Sequence, residues 1–526
     1  MNTIAKISVL VPFALAPSCS PNDYASILST DMVDSYVEQF NADDDELYKQ
    51  VFPNDRAAEF LKANIPLFEC PDKELEKTYY FRWWTFRKHI KETPRGYIIT
   101  EFLPNVRWAG KYNSINCATQ HHMAEGRWLR NPEYIDDYAR FWFTEDGEPV
   151  RYSLAIASAV WDVYSVRRDE ALIRDLYEPL KETFAEWEKS HRDSTGLYWR
   201  KDDRDGGEMS CSGELSPDAV GYRPNLNSFM YGDAVALSKM ANLLGNSADA
   251  AFYESKAREI KTLVDNMLWD PADRFYKVIP RNGEMKHAPC REELGYIPFA
   301  YDLPDEDKLV AWEQLFDPQG FKAPYGPTTC ERRYPGYRIS YEGHECQWNG
   351  PSWPYATAQT LTGMEKSIHR FGQKVLTKER YLEILQTYSN SHRLDGKCWI
   401  DENINPDTGD WISRTRLMTW KNGTWWAGKG GVERGKDYNH STFCDLVITG
   451  LLGVQPQADG SIVIEPLIPD GQWDWFCLDC VECCGKTLTI LYDKDGSKYH
   501  RGKGFRIFVN GRKAYSSDSY AVKAVV

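Results

Sequence analysis

Between about residue 75 and residue 455 the apolar positions recur with the 3.6-residue period of helices, and after Gly453 they alternate with period 2. Leu237, Met240, Ala241 and Leu244 fall at i, i+3, i+4 and i+7. Gly245 then stops the helix, and Ser247 can cap a second one that carries Tyr253, Ala257, Ile260, Val264 and Met267 on one face. This pair predicts a helical hairpin. Comparable stripes run through Leu154, Ala157, Trp161 and Tyr164, through Leu172, Leu176, Leu180, Phe184 and Trp187, through Tyr381, Leu385 and Tyr388, and through Phe443, Leu446, Val447 and Leu451. Downstream, residues 461–468, 486–492 and 505–509 read as strands, with a hairpin turn at Asn510-Gly511. Repeated helical hairpins followed by a short β unit predict a barrel of helices with a pocket at one end. The expected divisions are a leader over 1–19, an N-terminal segment over 20–74, the helical domain over 75–455 and the β unit over 456–526.

The connectors 191–228, 318–352 and 390–437 are long and rich in Gly, Pro and charge. Loops of that length in a compact domain carry function or are disordered, and their aromatic content argues for function.

Charge removes two classes of partner. The net charge is −14, from 63 Lys+Arg against 77 Asp+Glu, so no basic field is offered to nucleic acid or to an anionic membrane surface. Aromatic content is high, with 19 Trp and 31 Tyr, and flat amphipathic rings serve both large cores and the apolar faces of sugars. The first nineteen residues, MNTIAKISVLVPFALAPSC, combine Lys6, an apolar run over Ile7–Ala16 and a terminal cysteine. They resemble a bacterial lipoprotein signal, which implies export, lipidation of Cys19, and a periplasmic or outer-membrane location in a Gram-negative cell. Cys477, Cys480, Cys483 and Cys484 cluster as CLDCVECC, a contiguous run without the distant second ligand pair of a structural zinc site. Buried thiols or a local disulfide are expected there, and no metal or cofactor is assigned.

Residues 196–212, GLYWRKDDRDGGEMSCS, crowd carboxyls around a Gly-Gly pair. Glycosidic bond cleavage needs one carboxylic acid to protonate the leaving oxygen and a second carboxylate as nucleophile or as base for water. Asp202, Asp203, Asp205 and Glu208 are candidates for one of these groups, although most charged loop residues are merely solvated.

The stretch DGGEMS (Asp205–Ser210), followed by RPNLNSFMYGDA (Arg223–Ala234), resembles a loop and inner helix of the (α/α)6-barrel glycosidases, the group of trehalases, processing α-glucosidases and mannosylglycerate hydrolases. CQWNGPSWPYATAQTL (Cys346–Leu361) is similar to that group's Trp-x-Gly-Pro-x-Trp segment, and WIDENINPDTGDW (Trp399–Trp411) to the segment supplying its general base. The resemblance spans roughly residues 75–455. It implies a mainly α, six-hairpin (α/α)6 barrel with a small C-terminal β-sandwich-like unit, acting as a glycosidase with Glu208 as general acid and Glu402 as general base. The family mechanism inverts the anomeric centre, with the carboxyls about 6.5–9.5 Å apart. Two departures keep rivals open. Glu stands where the family has an Asp acid, so Asp205 competes for that role, and the residues after Glu402 differ, so Glu433, Glu345 and Glu342 compete for the base.

A general acid must hold its proton near neutral pH, through desolvation or neighbouring negative charge. Glu208 has Asp202, Asp203 and Asp205 close by in sequence. Candidate substrate contacts are Arg82, Trp83, Trp84, Trp108, Lys111, Asn113, His121, His122, Arg223, Asn227, Trp348, Asn349, Trp353, Lys436, Tyr438 and His440, with core packing the alternative for each tryptophan. The expected partner is an oligo- or polysaccharide. A polysaccharide lyase using Arg434, Tyr438, Asn439 and His440, and a glycan-binding lipoprotein without paired acids, are the competing functions.

Overall fold

The computed structural model describes residues 26–419, 429 and 431–526. The leader and Cys19 lie outside the described residues. Among those described, no helix is long and apolar enough to cross a membrane.

Among the described residues, six helical segments close a ring: Thr119–Gly126, Ile156–Arg167, Pro224–Leu243, Ile297–Ala300, Pro354–Phe371 and Cys444–Leu446, the last continued by a wider turn over Val447–Leu451. Each packs on the next, and the last returns to the first. Glu133–Phe141, Glu170–His191, Ser247–Leu263, Lys378–Ser391 and Lys73–Lys88 pack outside them, with the 3-10 segment Glu306–Phe316. This is the (α/α)6 barrel that the hairpin pattern and the resemblance predict.

Local chemistry sets the helix starts. Pro224 and Pro354 open their helices at the position where a missing N–H loses nothing. The side chains of Asp72, Asn246 and Thr377 accept from the backbone N–H of Leu75, Asp249 and Arg380. Asn246 therefore caps the helix for which Ser247 is the expected cap. Its better-placed carbonyl oxygen wins the exposed N–H, and Ser247 becomes the first helical residue.

The β part contains one strand that period-2 reading misses. Trp475–Cys483 carries the cysteine run and forms an antiparallel sheet in the order Leu67–Glu69, Trp475–Cys483, Lys486–Asp493, Gly504–Val509, Arg512–Ser517. A register shift between Leu478 and Val481 breaks its alternation. The four cysteines carry free thiols, Cys477 and Cys483 buried, and the Cys483 and Cys484 sulfurs lie 3.9 Å apart. Among the described residues no group of three His, Cys, Asp or Glu side chains gathers to hold a metal. At Asn510 and Gly511 both φ angles are positive, as the predicted hairpin turn requires. The edge strand Leu67–Glu69 ties the N-terminal segment to the C-terminal sheet. Buried Asp479 strengthens that tie by accepting from Ser26 Oγ at 2.8 Å and from the Leu28 N–H at 3.0 Å.

Candidate active site

Loops that lead into the N-terminal ends of the ring helices meet over a cavity of about 290 Å³. Both predicted catalytic carboxyls, Glu208 and Glu402, line it, together with Glu101, Asp203 and Glu345. Phe102, Trp108, Tyr152, Trp353, Tyr438 and His440 form much of its aromatic wall.

The turn that presents Glu208 depends on Gly206. Its φ of +70° favours glycine, and a Cβ there would meet the Cys117 sulfur at 2.8 Å. The Trp348 N–H donates to the Glu208 carbonyl at 3.0 Å, fixing the acid's loop to the Trp-x-Gly-Pro-x-Trp segment. Desolvation raises the Glu208 pKa to about 8, and the charges of Asp202, Asp203 and Glu402 add to the rise. The crowded acids thus contribute, but burial is the larger cause. Asp205 is not among them, because it is buried against Arg223 at 2.5 Å and accepts from Ser153 Oγ. Its carboxyl faces the interior behind the loop rather than the cavity.

Glu402 has a different setting. Arg434 meets it twice, Nε to Oε1 at 2.7 Å and Nη2 to Oε2 at 2.7 Å, and Ser413 Oγ donates to Oε2 at 3.1 Å. The same guanidinium reaches Glu345 Oε1 through Nη1 at 2.8 Å, and Lys429 Nζ lies 2.6 Å from that oxygen. Burial alone would raise the Glu345 pKa, but the charges of Arg434, His344 and Lys429 bring it down to about 2. Gly435 allows this packing, since a Cβ there would collide with Asp401 Oδ1. The other two rivals for the base lie outside the cavity lining. Glu433 pairs with Arg414 at 2.5 Å, and Glu342 is exposed.

Of the predicted substrate contacts, Trp108, Trp353, Tyr438 and His440 line the cavity. Trp348 stacks behind Trp353 with ring centroids 4.6 Å apart, and Asn349 is buried beside it, its carbonyl accepting from the Arg338 N–H. The rest serve the framework. Arg82 donates to Ser441 and lies against Tyr388 and His392, while Trp83 and Trp84 are core residues of Lys73–Lys88. Lys111 pairs with Asp146 at 2.8 Å. Asn113, at φ +68°, bonds the Val106, Phe102 and Pro104 backbone. His121 packs on Tyr355, and His122 bonds Tyr138 and the Asn439 carbonyl. Arg223 holds Asp205, Asn227 bridges both backbone groups of Tyr198, and Lys436 pairs with Asp44 at 2.7 Å. A helix with aromatics on every side, as in Tyr79–Phe86, signals a fully buried helix rather than a sugar platform.

Glu101 is the functional candidate that sequence reasoning misses. It follows the strand Gly96–Ile99, is buried, and accepts from Tyr438 Oη at 3.0 Å through Oε1. Desolvation raises its pKa to about 8 against the Tyr438 bond, helped by the Glu402 and Glu208 charges. A single glutamate at a strand end carries no spacing signal that could have marked it.

A second cavity of about 950 Å³ opens at the C-terminal ends of the ring helices. Arg127, Arg168, Lys239, Lys366 and Arg370 line it, interleaved with Asp162, Asp302, Glu365 and Asp445. Cations at that end offset the negative helix termini, and the acids largely balance them.

The chain is similar to a solved structure named "Sialidase", with 42% identity and a TM-score of 0.87 over 94% of this chain and 44% of that one. A mannosylglycerate hydrolase from Thermus thermophilus, solved with Tris and D-glycerate, shares the fold at 13% identity and a TM-score of 0.52, covering 71% of this chain and 100% of that one. An uncharacterized protein of Borreliella burgdorferi is 22% identical over 186 residues, 35% of this chain and 38% of that protein. The chain thus spans less than half the length of the first and third of these relatives. Residues 457–514 match the C-terminal domain of glycosyl hydrolase family 65. Residues 111–441, which contain Glu208, Glu402 and most of the cavity wall, match the mannosylglycerate hydrolase MGH1-like glycoside hydrolase domain, and the chain belongs to that family.

Proposed function

We propose that this glycoside hydrolase releases a terminal sugar from an oligo- or polysaccharide with inversion, Glu208 protonating the leaving oxygen and Glu402 activating the attacking water. The observation that carries the reading is the contrast between two carboxyls on one cavity. Glu208 is desolvated and keeps its proton to about pH 8, whereas Glu402 is ion-paired with Arg434. Arg434 Nη2, Ser413 Oγ and Cys346 Sγ crowd Oε2 of Glu402, whereas among the described residues Oε1 meets only Arg434 Nε and keeps a lone pair for water. Glu345 shares the cavity, but a carboxyl with a pKa near 2 is a poor base.

Replacing Glu208 or Glu402 by Gln should each lower kcat/KM by at least 100-fold, in line with the usual worth of acid or base catalysis of about 10² to 10⁴. The assay panel comprises trehalose and α-glucosides, α-mannosides, arabinosides, galactosides and rhamnosides, with the product anomer followed by NMR. Full activity in both variants defeats the assignment, and a retained anomer defeats inversion. Neutral sugars come first in the panel.

Export and lipidation of Cys19 belong to the same proposal, supported by the pattern of the first nineteen residues. Fractionating a Gram-negative host that expresses the full chain tests them. The wild type should pellet with membranes and Cys19→Ala should not; identical distributions refute the anchor.

A further inference from the structure

Among the described residues, Oε2 of Glu101 and Nε2 of His440, both on the cavity wall, are buried and have no hydrogen-bond partner. They are the ends of one chain. Tyr438 Oη lies between Glu101 Oε1, at 3.0 Å, and His440 Nδ1, and the Tyr438 and His440 rings meet with centroids 4.9 Å apart. His440 Nε2 comes within 3.9 Å of Glu101 Oε1, and both residues line the same cavity.

Counting protons gives the chain a property that neither residue has alone. A protonated Glu101, Tyr438 and a neutral His440 hold one exchangeable proton each. Two of the three fill the internal bonds, and the third must sit at one end. Whichever way the chain is oriented, one end is then a donor and the other an acceptor. A sugar hydroxyl both donates and accepts, and so satisfies both ends at once. We propose that Glu101 and His440, coupled through Tyr438, form a reader for one sugar hydroxyl, and that Glu101 acts in it as a neutral acid rather than as a carboxylate.

Burial supports the two protonation states, raising the Glu101 pKa to about 8 and driving that of His440 well below the ordinary histidine value, with the nearby His121 and His122 adding to the latter. A site built to bond a hydroxyl rejects an analogue that lacks it, because its own buried groups are then left unpaired. The inference rests on the glycosidase reading of the cavity and deepens it, by making one hydroxyl of the bound ring a determinant of specificity.

The test measures binding and needs no turnover. Trp108 and Trp353 line the cavity and report occupancy by fluorescence. The probes are glucose, mannose, galactose, arabinose and rhamnose, each with its single-deoxy analogues, titrated into the full chain and into Glu101→Gln and Glu101→Ala. At least one parent sugar should bind saturably, and one of its deoxy analogues should bind at least 10-fold more weakly. Glu101→Gln keeps an oxygen for Tyr438 and an N–H for the sugar. It should stay within about fivefold of wild type and retain the discrimination, while Glu101→Ala should lose at least 10-fold in affinity and bind parent and deoxy sugar alike. A Gln variant as impaired as Ala overturns the neutral-acid reader, as does discrimination that survives in Ala, or a wild type that binds no parent sugar. Failure of the glycosidase reading shows instead as no sugar released by the wild type from any substrate of the panel, whatever the binding titrations give.

Discussion

Glu208 concentrates the physical conflict of the site in one side chain. Holding a proton to about pH 8 suits a general acid, so kcat/KM should fall as pH rises through about 8, and in Glu208→Gln only the part of this basic limb that Glu101 contributes should remain. The same shift has a stability consequence. A carboxyl with a raised folded-state pKa contributes its full stability below its unfolded value of about 4.5 and loses it as pH climbs toward the folded value. Glu208→Gln should therefore match wild type in thermal midpoint near pH 4 and exceed it near pH 8. Equal midpoints at both pH values would show that the carboxyl is not desolvated. Arg434 holds the opposite balance, since it neutralises two carboxylates from buried positions. Arg434→Met should lose at least 100-fold in activity and destabilise the fold by about 3–5 kcal/mol, the usual loss when one partner of a buried pair is removed. Urea titration measures the second effect.

At the scale of elements, the loop over residues 431–442 owes its position to a contact far from it in sequence. Asp44 takes Lys88 at 2.8 Å and Lys436 at 2.7 Å, and Lys88 in turn takes Asp437 at 2.5 Å, all four side chains being buried or nearly so. Asp437 stands at φ +60° directly before Tyr438, so this ring of charges sets the direction of the residue that links Glu101 to His440. Asp44→Asn should destabilise the protein by about 3 kcal/mol and lower kcat more than it raises KM. A variant with wild-type kinetics and only reduced stability would confine the ring to a structural role.

Legibility in the sequence follows the same divide. Helices such as Ile156–Arg167, Glu170–His191 and Pro224–Leu243 are readable because each presents an apolar stripe, and Glu208 and Glu402 because each sits in a motif with turn residues and aromatics at fixed offsets. Glu101 and Asp44 are not, since their roles exist only through partners distant in sequence, Tyr438 for the first and Lys88 and Lys436 for the second. Trp83 and Trp108 show the limit of composition: the same residue type fills the core in one place and lines the cavity in the other.

For the whole molecule, the five-stranded sheet joins the N-terminal segment to the C-terminal unit, with Leu67–Glu69 at one edge and Asp479 gripping Ser26 and Leu28. Unfolding should therefore be a single transition, coincident by circular dichroism and by tryptophan fluorescence. Asp479→Ala should lower its free energy by about 3 kcal/mol, as several buried donors lose their acceptor. Two separated transitions would mean that the sheet and the barrel hold independently.

The grip of Asp479 on Ser26 also fixes the length of a leash. Only the stretch from Cys19 to Ser26 separates the proposed lipid from a residue held by the sheet, and fully drawn out it measures about 25 Å. A lipidated enzyme would therefore ride with its β unit close to the bilayer, and could hydrolyse only glycans that come to that surface. Splicing a long Gly-Ser spacer between Cys19 and Ser26 should widen its working radius toward immobilised glycans while leaving turnover of free oligosaccharides as it was.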